Sequence, residues 1–324
     1  MYALQSLDER TTLLTLPSGA RWGLPWDVPT NVTVFGGRVP TLIDTGAPGS
    51  HDGLVAALAT VGLAPSEIRR VVLTGVTRAN LGNVALFPNA VVYAVDTPAT
   101  RQPAAHLRDE ARLVGALARR LLAIDGAPAT WTLDTIASFE EEWATGTPES
   151  LDPFPLEEGL DVAAGDGQIR TLVTPGNVPA GACFFRESTR DLFAGRMFDP
   201  TDEHAPLQAA DYAEQLMRVS QLPAARVISQ VGPPDPYPHV LFRATNLSVT
   251  NLLSNLQFVL TGTRGVEEVT WRDRGYRPRS VLRYAAWVLR NQRYLDELTR
   301  AGIASRSDDA VLPAYTIDIP ARLS

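Results

Sequence analysis

The sequence contains no lysine, a single cysteine and four histidines. With lysine missing, every basic side chain other than histidine is an arginine, a feature of composition that says little about mechanism. The lone Cys183 excludes an internal disulfide and any cysteine-based zinc motif, and it fits a reducing compartment. No apolar run approaches the roughly 20 residues needed to span a bilayer. The opening stretch carries Asp8, Glu9 and Arg10 where a secretory signal has its apolar segment. These absences imply a cytoplasmic protein with no membrane partner. An excess of positive charge is missing too. A formal net charge of -7 argues against bulk nucleic acid as a whole-molecule partner.

What is present is ordinary for a globular protein: 324 residues, 45% hydrophobic and 20% charged, enough for one large α/β domain or two smaller ones. Apolar alternation predicts a strand from Thr11 and a strand pair over residues 31–43 turned at Gly36-Gly37. A helix is expected over Asp52 to Val61, closed by Gly62, and a buried strand at Val71-Val72-Leu73, after which Leu81-Gly82 should open a helix. Ala105 to Ile124 has a helical period, and Phe139 to Trp143 adds a short helical piece. Residues 97–150 therefore read as a helical insertion, over a cleft or at a subunit contact. Strands resume through Arg226 to Ser229, with a helix over Asp211 to Gln221. A second module, residues 246–324, follows a first of residues 1–245. It reads as helices over Val249 to Leu260, Val266 to Arg272 and Arg279 to Ala301, then a two-stranded wing over Gly302 to Ile317, with Leu295, Leu298 and Ile303 in its core.

Five short stretches stand out in order. They are Thr41-Leu42-Ile43-Asp44-Thr45-Gly46, the loop Thr74 to Gly82, Thr174-Pro175-Gly176-Asn177, Phe193-Ala194-Gly195-Arg196, and Ser229-Gln230-Val231-Gly232-Pro233. Together they resemble the landmarks of the metallo-β-lactamase superfamily, whose signature is strand, T-H-x-H-x-D-H-x-G, helix. The resemblance implies an αββα sandwich, here with the helical insertion and a tail that resembles a winged helix. It also implies where two metal ions and a hydroxide generated from bound water would sit. At those ligand positions stand Gly75, Thr77, Ala79, Asn80, Asn177, Arg196 and Val231. Glycine, alanine and valine offer no lone pair, threonine and asparagine offer weak ones, and a guanidinium repels a dication. The expectation is a non-catalytic relative with no metal cofactor, acting as a ligand- or partner-binding protein.

Three alternatives stay open. One is a hydrolase with a displaced site, built on a single relocated zinc, iron or manganese ion with His51, His204 and Asp44 or Asp202; the plainer reading is that these are surface histidines. The second is a pocket of Asp44, Thr77, Arg78, Asn80, Asn177 and Arg196, with His51 and His204 nearby, that holds a small anionic ligand through arginine and amide donors. In that pocket Asp44 would pair with Arg196 or Arg78. The third uses the tail arginines Arg272, Arg274, Arg277, Arg279 and Arg283 on a phosphate backbone. Against it, the same arginines would pair with acidic groups, and Trp287, Leu289 and Leu295 would form a homodimer contact. His106 and His239 have no partner at ligand spacing. Cys183 reads as a buried strand thiol.

Overall fold

The computed structural model describes residues 2–18, 22, 24, 28–198, 209–247, 263–308 and 312–317. Two sheets face each other. The first runs β1 (Ala3–Ser6), β2 (Thr11–Leu16), β3 (Thr30–Phe35), β4 (Thr41–Ile43), β5 (Arg70–Val72), β6 (Val91–Ala94) and β7 (Phe154–Pro155), neighbours in that order. Strands β1 to β4 are antiparallel and β4 to β7 parallel. The second sheet has the order β12 (Arg226–Ser229), β11 (Asp191–Gly195), β10 (Ala182–Arg186), β9 (Gly167–Val173) and β8 (Asp161–Ala164). Only β11 and β12 run parallel in it.

Strand alternation assigns each side chain to a layer. Leu13, Phe35, Ile43 and Val72 point from the first sheet to meet Phe184, Phe193 and Ile228 from the second. Their neighbours Leu14, Val34, Leu42 and Val71 face outward, onto α1 (His51–Thr60) through Leu54 and Leu58. On the far side Cys183, Leu192, Ala194 and Val227 face α6 (Ala209–Ser220) and a helix over residues 238–247, α7, through Leu216, Val219 and Phe242. Helix, sheet, sheet, helix is the expected αββα order. Strand β1 and helix α7 are additions to the expectation. Pro238 takes the first helical position of α7, where a missing N–H costs nothing.

A further layer is all helical in its core. The insertion supplies α3 (Pro98–Arg101), α4 (Pro103–Leu121) and α5 (Leu133–Glu142). The tail supplies β13 (Arg264–Gly265), α8 (Val266–Arg274), α9 (Val281–Arg300), β14 (Ala304–Ser307) and β15 (Ala314–Ile317), with sheet order β13-β15-β14. Helix α4 buries Leu107, Val114, Leu117 and Leu121 in one core with Tyr284, Trp287, Val288 and Leu295 of α9. Polar ties reinforce the contact. Trp131 Nε1 donates to the Pro278 carbonyl at 2.9 Å, and Arg277 donates to the carbonyls of Asp125 and Gly126 at 2.9 and 3.0 Å.

Two expectations are corrected here. Trp287, Leu289 and Leu295 are buried within this core and offer no surface to a second copy, whereas Ile303, expected inside, is exposed. The helix expected over Val249 to Leu260 lies outside the described residues. Among the described residues no helix is long and apolar enough to cross a membrane.

Candidate functional site: a polar plug at the metal-cleft positions

The loop after β4 turns sharply because Asp44 itself adopts a left-handed backbone, φ 60°, a conformation that aspartate tolerates better than most residues. This aims a buried carboxylate at the loop after β5. Its Oδ1 accepts from the Thr74 backbone N–H and from Asn80 Nδ2, each at 2.9 Å. Its Oδ2 accepts from Thr74 Oγ1 at 2.7 Å and Gln230 Nε2 at 3.2 Å. Burial pushes the Asp44 carboxyl up to about 6, against the opposing pull of those hydrogen bonds. The expected ion pair of Asp44 with Arg196 or Arg78 is not formed, since its partners are all neutral. Four donors already saturate the carboxylate.

Asn80 is the hub. Besides donating to Asp44, its Nδ2 donates to Thr74 Oγ1 at 2.9 Å. Its Oδ1 accepts from the Thr77 N–H at 3.0 Å and from Thr77 Oγ1 at 2.5 Å. Thr77 thereby caps α2 (Arg78–Leu81), a single turn. Contrary to expectation, Leu81-Gly82 ends this turn rather than opening a helix. A Cβ on Gly82 would lie 2.3 Å from the Pro48 nitrogen, so only glycine lets the two loops touch. Asn83 continues the tie, donating to the Thr45 and Ala47 carbonyls at 2.8 and 2.9 Å.

From the second sheet, Asn177 donates to the Arg196 carbonyl at 2.7 Å, and both residues are buried. Gln230, whose N–H donates to the Gly195 carbonyl at 2.7 Å, sits one residue before half-buried Val231. Beside Asp44 and Gln230 the space left between the sheets is about 10 Å³, the size of one water. Cys183 is buried, and desolvation pushes its thiol up to about 12, so it is no nucleophile at neutral pH.

Among the described residues, those at the expected ligand positions do not fit a pair of metal ions. The imidazoles and bridging carboxylate are replaced, and Asn80, the best remaining donor, spends its oxygen on Thr77. At Gly75 the place of a side chain is filled: a Cβ there would lie 2.7 Å from Val178 Cγ2. Ala79 is buried and brings only a methyl group. Among the described residues no three His, Cys, Asp or Glu side chains converge at ligand distance.

The remaining candidates scatter. Arg78 leaves the cleft and lies between two indole rings, 5.3 Å from Trp22 and 5.1 Å from Trp143, which fastens the motif helix to the helical layer. It therefore does not join Asn80 and Asn177 in one anion pocket. His51 is exposed at the start of α1; His204 and Asp202 lie outside the described residues. In the tail, Arg272 pairs with Glu268 at 3.0 Å and Arg277 with Glu267 at 2.9 Å. Arg274 and Arg283 both lie over the Trp287 ring, at 4.8 and 5.5 Å, and Arg279 is exposed. Sequence reasoning missed Gln230 and the Trp22–Trp143 cage. No local pattern marks either; Thr74 alone was visible, as the threonine of the family signature.

No family model matches the chain. A 55-residue segment is 46% identical to metallo-β-lactamase domain-containing protein 1 of Rattus norvegicus, covering 17% of this chain and 22% of that protein. The chain thus spans about a fifth of the length of the curated relatives it matches. In structure it resembles a metallo-β-lactamase family protein of Thermus thermophilus, with a TM-score of 0.72 at 20% identity, over 96% of this chain and 100% of that one. A β-lactamase domain protein of Burkholderia ambifaria gives 0.71 at 16% identity, over 97% and 93%. Both matches run through insertion and tail as well as the sandwich. Layer order, landmark order and these likenesses converge: the chain is built on the metallo-β-lactamase fold.

Proposed function

We propose that this protein is a hydrolytically silent, metal-free member of the metallo-β-lactamase fold, working in the cytoplasm as a ligand- or partner-binding protein. One observation carries the reading. The Asn80 amide, at a ligand position, is turned inward and fully used by Asp44, Thr74 and Thr77, so the loop that would present donors to a cation is closed on itself. Val178 in the side-chain space of Gly75 supports it, because restoring one histidine would require the neighbouring loop to move. The tail arginines engage acidic groups and an indole within the chain, which supports a structural role for them over a phosphate-binding one.

The test is elemental analysis of full-length protein purified without chelator, paired with a screen of esters, thioesters and phosphodiesters. Far less than one zinc, iron or manganese per chain, with no chelator-sensitive turnover, is the expected result. A stoichiometric metal with turnover that a chelator abolishes overturns the proposal in favour of a displaced site.

A further inference from the structure

Away from the cleft, on the outer face of the second sheet, a groove of about 510 Å³ opens between the end of α6 and helix α7. Its position follows from the sequence of α7. Phe242 is buried against Phe198 at a ring distance of 4.9 Å and anchors the helix on the sheet. That orientation brings His239, Arg243 and Leu247, at steps of four along the same side, to the groove. Leu222 and Ala224 form the opposite wall.

The charge on that wall has no partner among the described residues. The net charge is -7, and most arginines have a carboxylate partner, as Arg226 does with Asp191 and Arg186 with Asp8. Arg243 and His239 make no hydrogen bond or ion pair among the described residues, and both are exposed. Leu247, 58% exposed, and Val240, 56% exposed, leave apolar surface beside them. The groove thus offers one permanent cation, one imidazole and an apolar floor in a volume typical of small-molecule sites.

The geometry points to a binding site for an apolar carboxylate, a fatty or aryl acid whose carboxylate lies on the Arg243 guanidinium and whose hydrocarbon body lies on Phe242, Leu222 and Leu247. A guanidinium fork matches a carboxylate two bonds at a time. One permanent cation balances one negative charge, which selects a monoanion over a phosphate dianion. The site is independent of the silent-cleft reading: an active cleft would leave it unchanged.

Calorimetric titration of the full chain with octanoate, octanol and octyl phosphate tests it. Octanoate should bind one per chain with a Kd below about 1 mM, at least tenfold tighter than octanol and tighter than octyl phosphate. Arg243→Ala, at an exposed side chain that ties nothing in the fold, should weaken octanoate about tenfold, the worth of a charged hydrogen-bonded contact. Ala224→Trp, which fills the groove from the other wall, should abolish binding while thermal unfolding stays cooperative. Failure of octanoate to saturate, equal binding of octanol, tighter binding of octyl phosphate, or an unchanged Kd in Arg243→Ala overturns the assignment. Should Ala224→Trp not fold, Arg243→Gln gives the same reading as Arg243→Ala.

Discussion

The loops around Asp44 and the helical layer beside them solve the same problem, a buried charge, by opposite means. Around Asp44 the charge is negative and every partner is a neutral donor held by a loop. In the helical layer the charges are mostly guanidinium groups, held by indole faces or by carboxylates: Arg78 by Trp22 and Trp143, Arg274 and Arg283 by Trp287, and fully buried Arg290 by Asp273. The difference separates two jobs. Neutral donors fix the path of backbone loops without adding much net stability, whereas aromatic surface packed on arginine stems buries large apolar area and carries free energy.

The sharpest way to break that comparison is to remove the ring both regions share. Trp143 is buried, meets Trp22 edge-on at 5.7 Å and Phe139 at 5.0 Å, and donates to Glu110 at 2.9 Å. Trp143→Ala should cost about 3–5 kcal/mol, read as a shift in urea midpoint at unchanged slope. A cost below about 1 kcal/mol would mean that the helical layer is a passenger.

Next in size is a pH effect confined to the loops. The folded Asp44 carboxyl holds its proton up to about 6, against an ordinary value of 3.8. Between those two values the folded state binds more protons than the unfolded chain, so this residue's contribution makes stability fall as pH rises, and it is level above and below. The drop is on the order of 3 kcal/mol at 1.36 kcal/mol per pH step. Asp44→Asn should remove it, seen as a changed difference in unfolding free energy between pH 4 and pH 7 relative to the unmutated chain. Asparagine also suits the left-handed backbone there. An identical pH profile in the variant would show that the carboxylate is not the buried charge it looks.

A smaller loss is expected from the hub. Asn80→Ala leaves the Thr77 N–H without its partner and takes one of the two donors from Asp44 Oδ1, about 2 kcal/mol by thermal or urea unfolding. Asn80→His should be no better and should gain no zinc, since Gly75, Asn177 and Arg196 still lack donors. Zinc bound at one per chain by that single variant would mean that the cleft is one step from function.

Much of this was legible in the residues. The Asp44-Thr45-Gly46 turn, the buried thiol of Cys183 and the strand expected at Val71 to Leu73, found at Arg70–Val72, follow from local chemistry. The replaced ligand positions were legible for the same reason, because each is a residue type at a place in a pattern. What stayed hidden depends on contacts distant in sequence. Arg78 lies at the edge of the motif, and nothing local says that it turns toward Trp143, 65 positions later. Gln230 reaches Asp44 across 186 positions. Helix α7 was hidden by its prolines, and the core shared by α4 and α9 by the separation of its halves.

Arg78 supplies the finest test, because its backbone lies in one region and its side chain in the other. Its backbone begins the capped turn beside Asn80, while its guanidinium lies between Trp22 and Trp143. Arg78→Met keeps most of the apolar stem and removes the charge, so packing is largely conserved and the cation–π attraction is lost, about 1 kcal/mol at a partly buried site. Measured in the Trp143→Ala background the same substitution should cost nearly nothing, since one wall of the cage is already gone. A full, additive loss in the double variant would place the stabilising contact of Arg78 elsewhere, and the two regions would then be joined by packing alone.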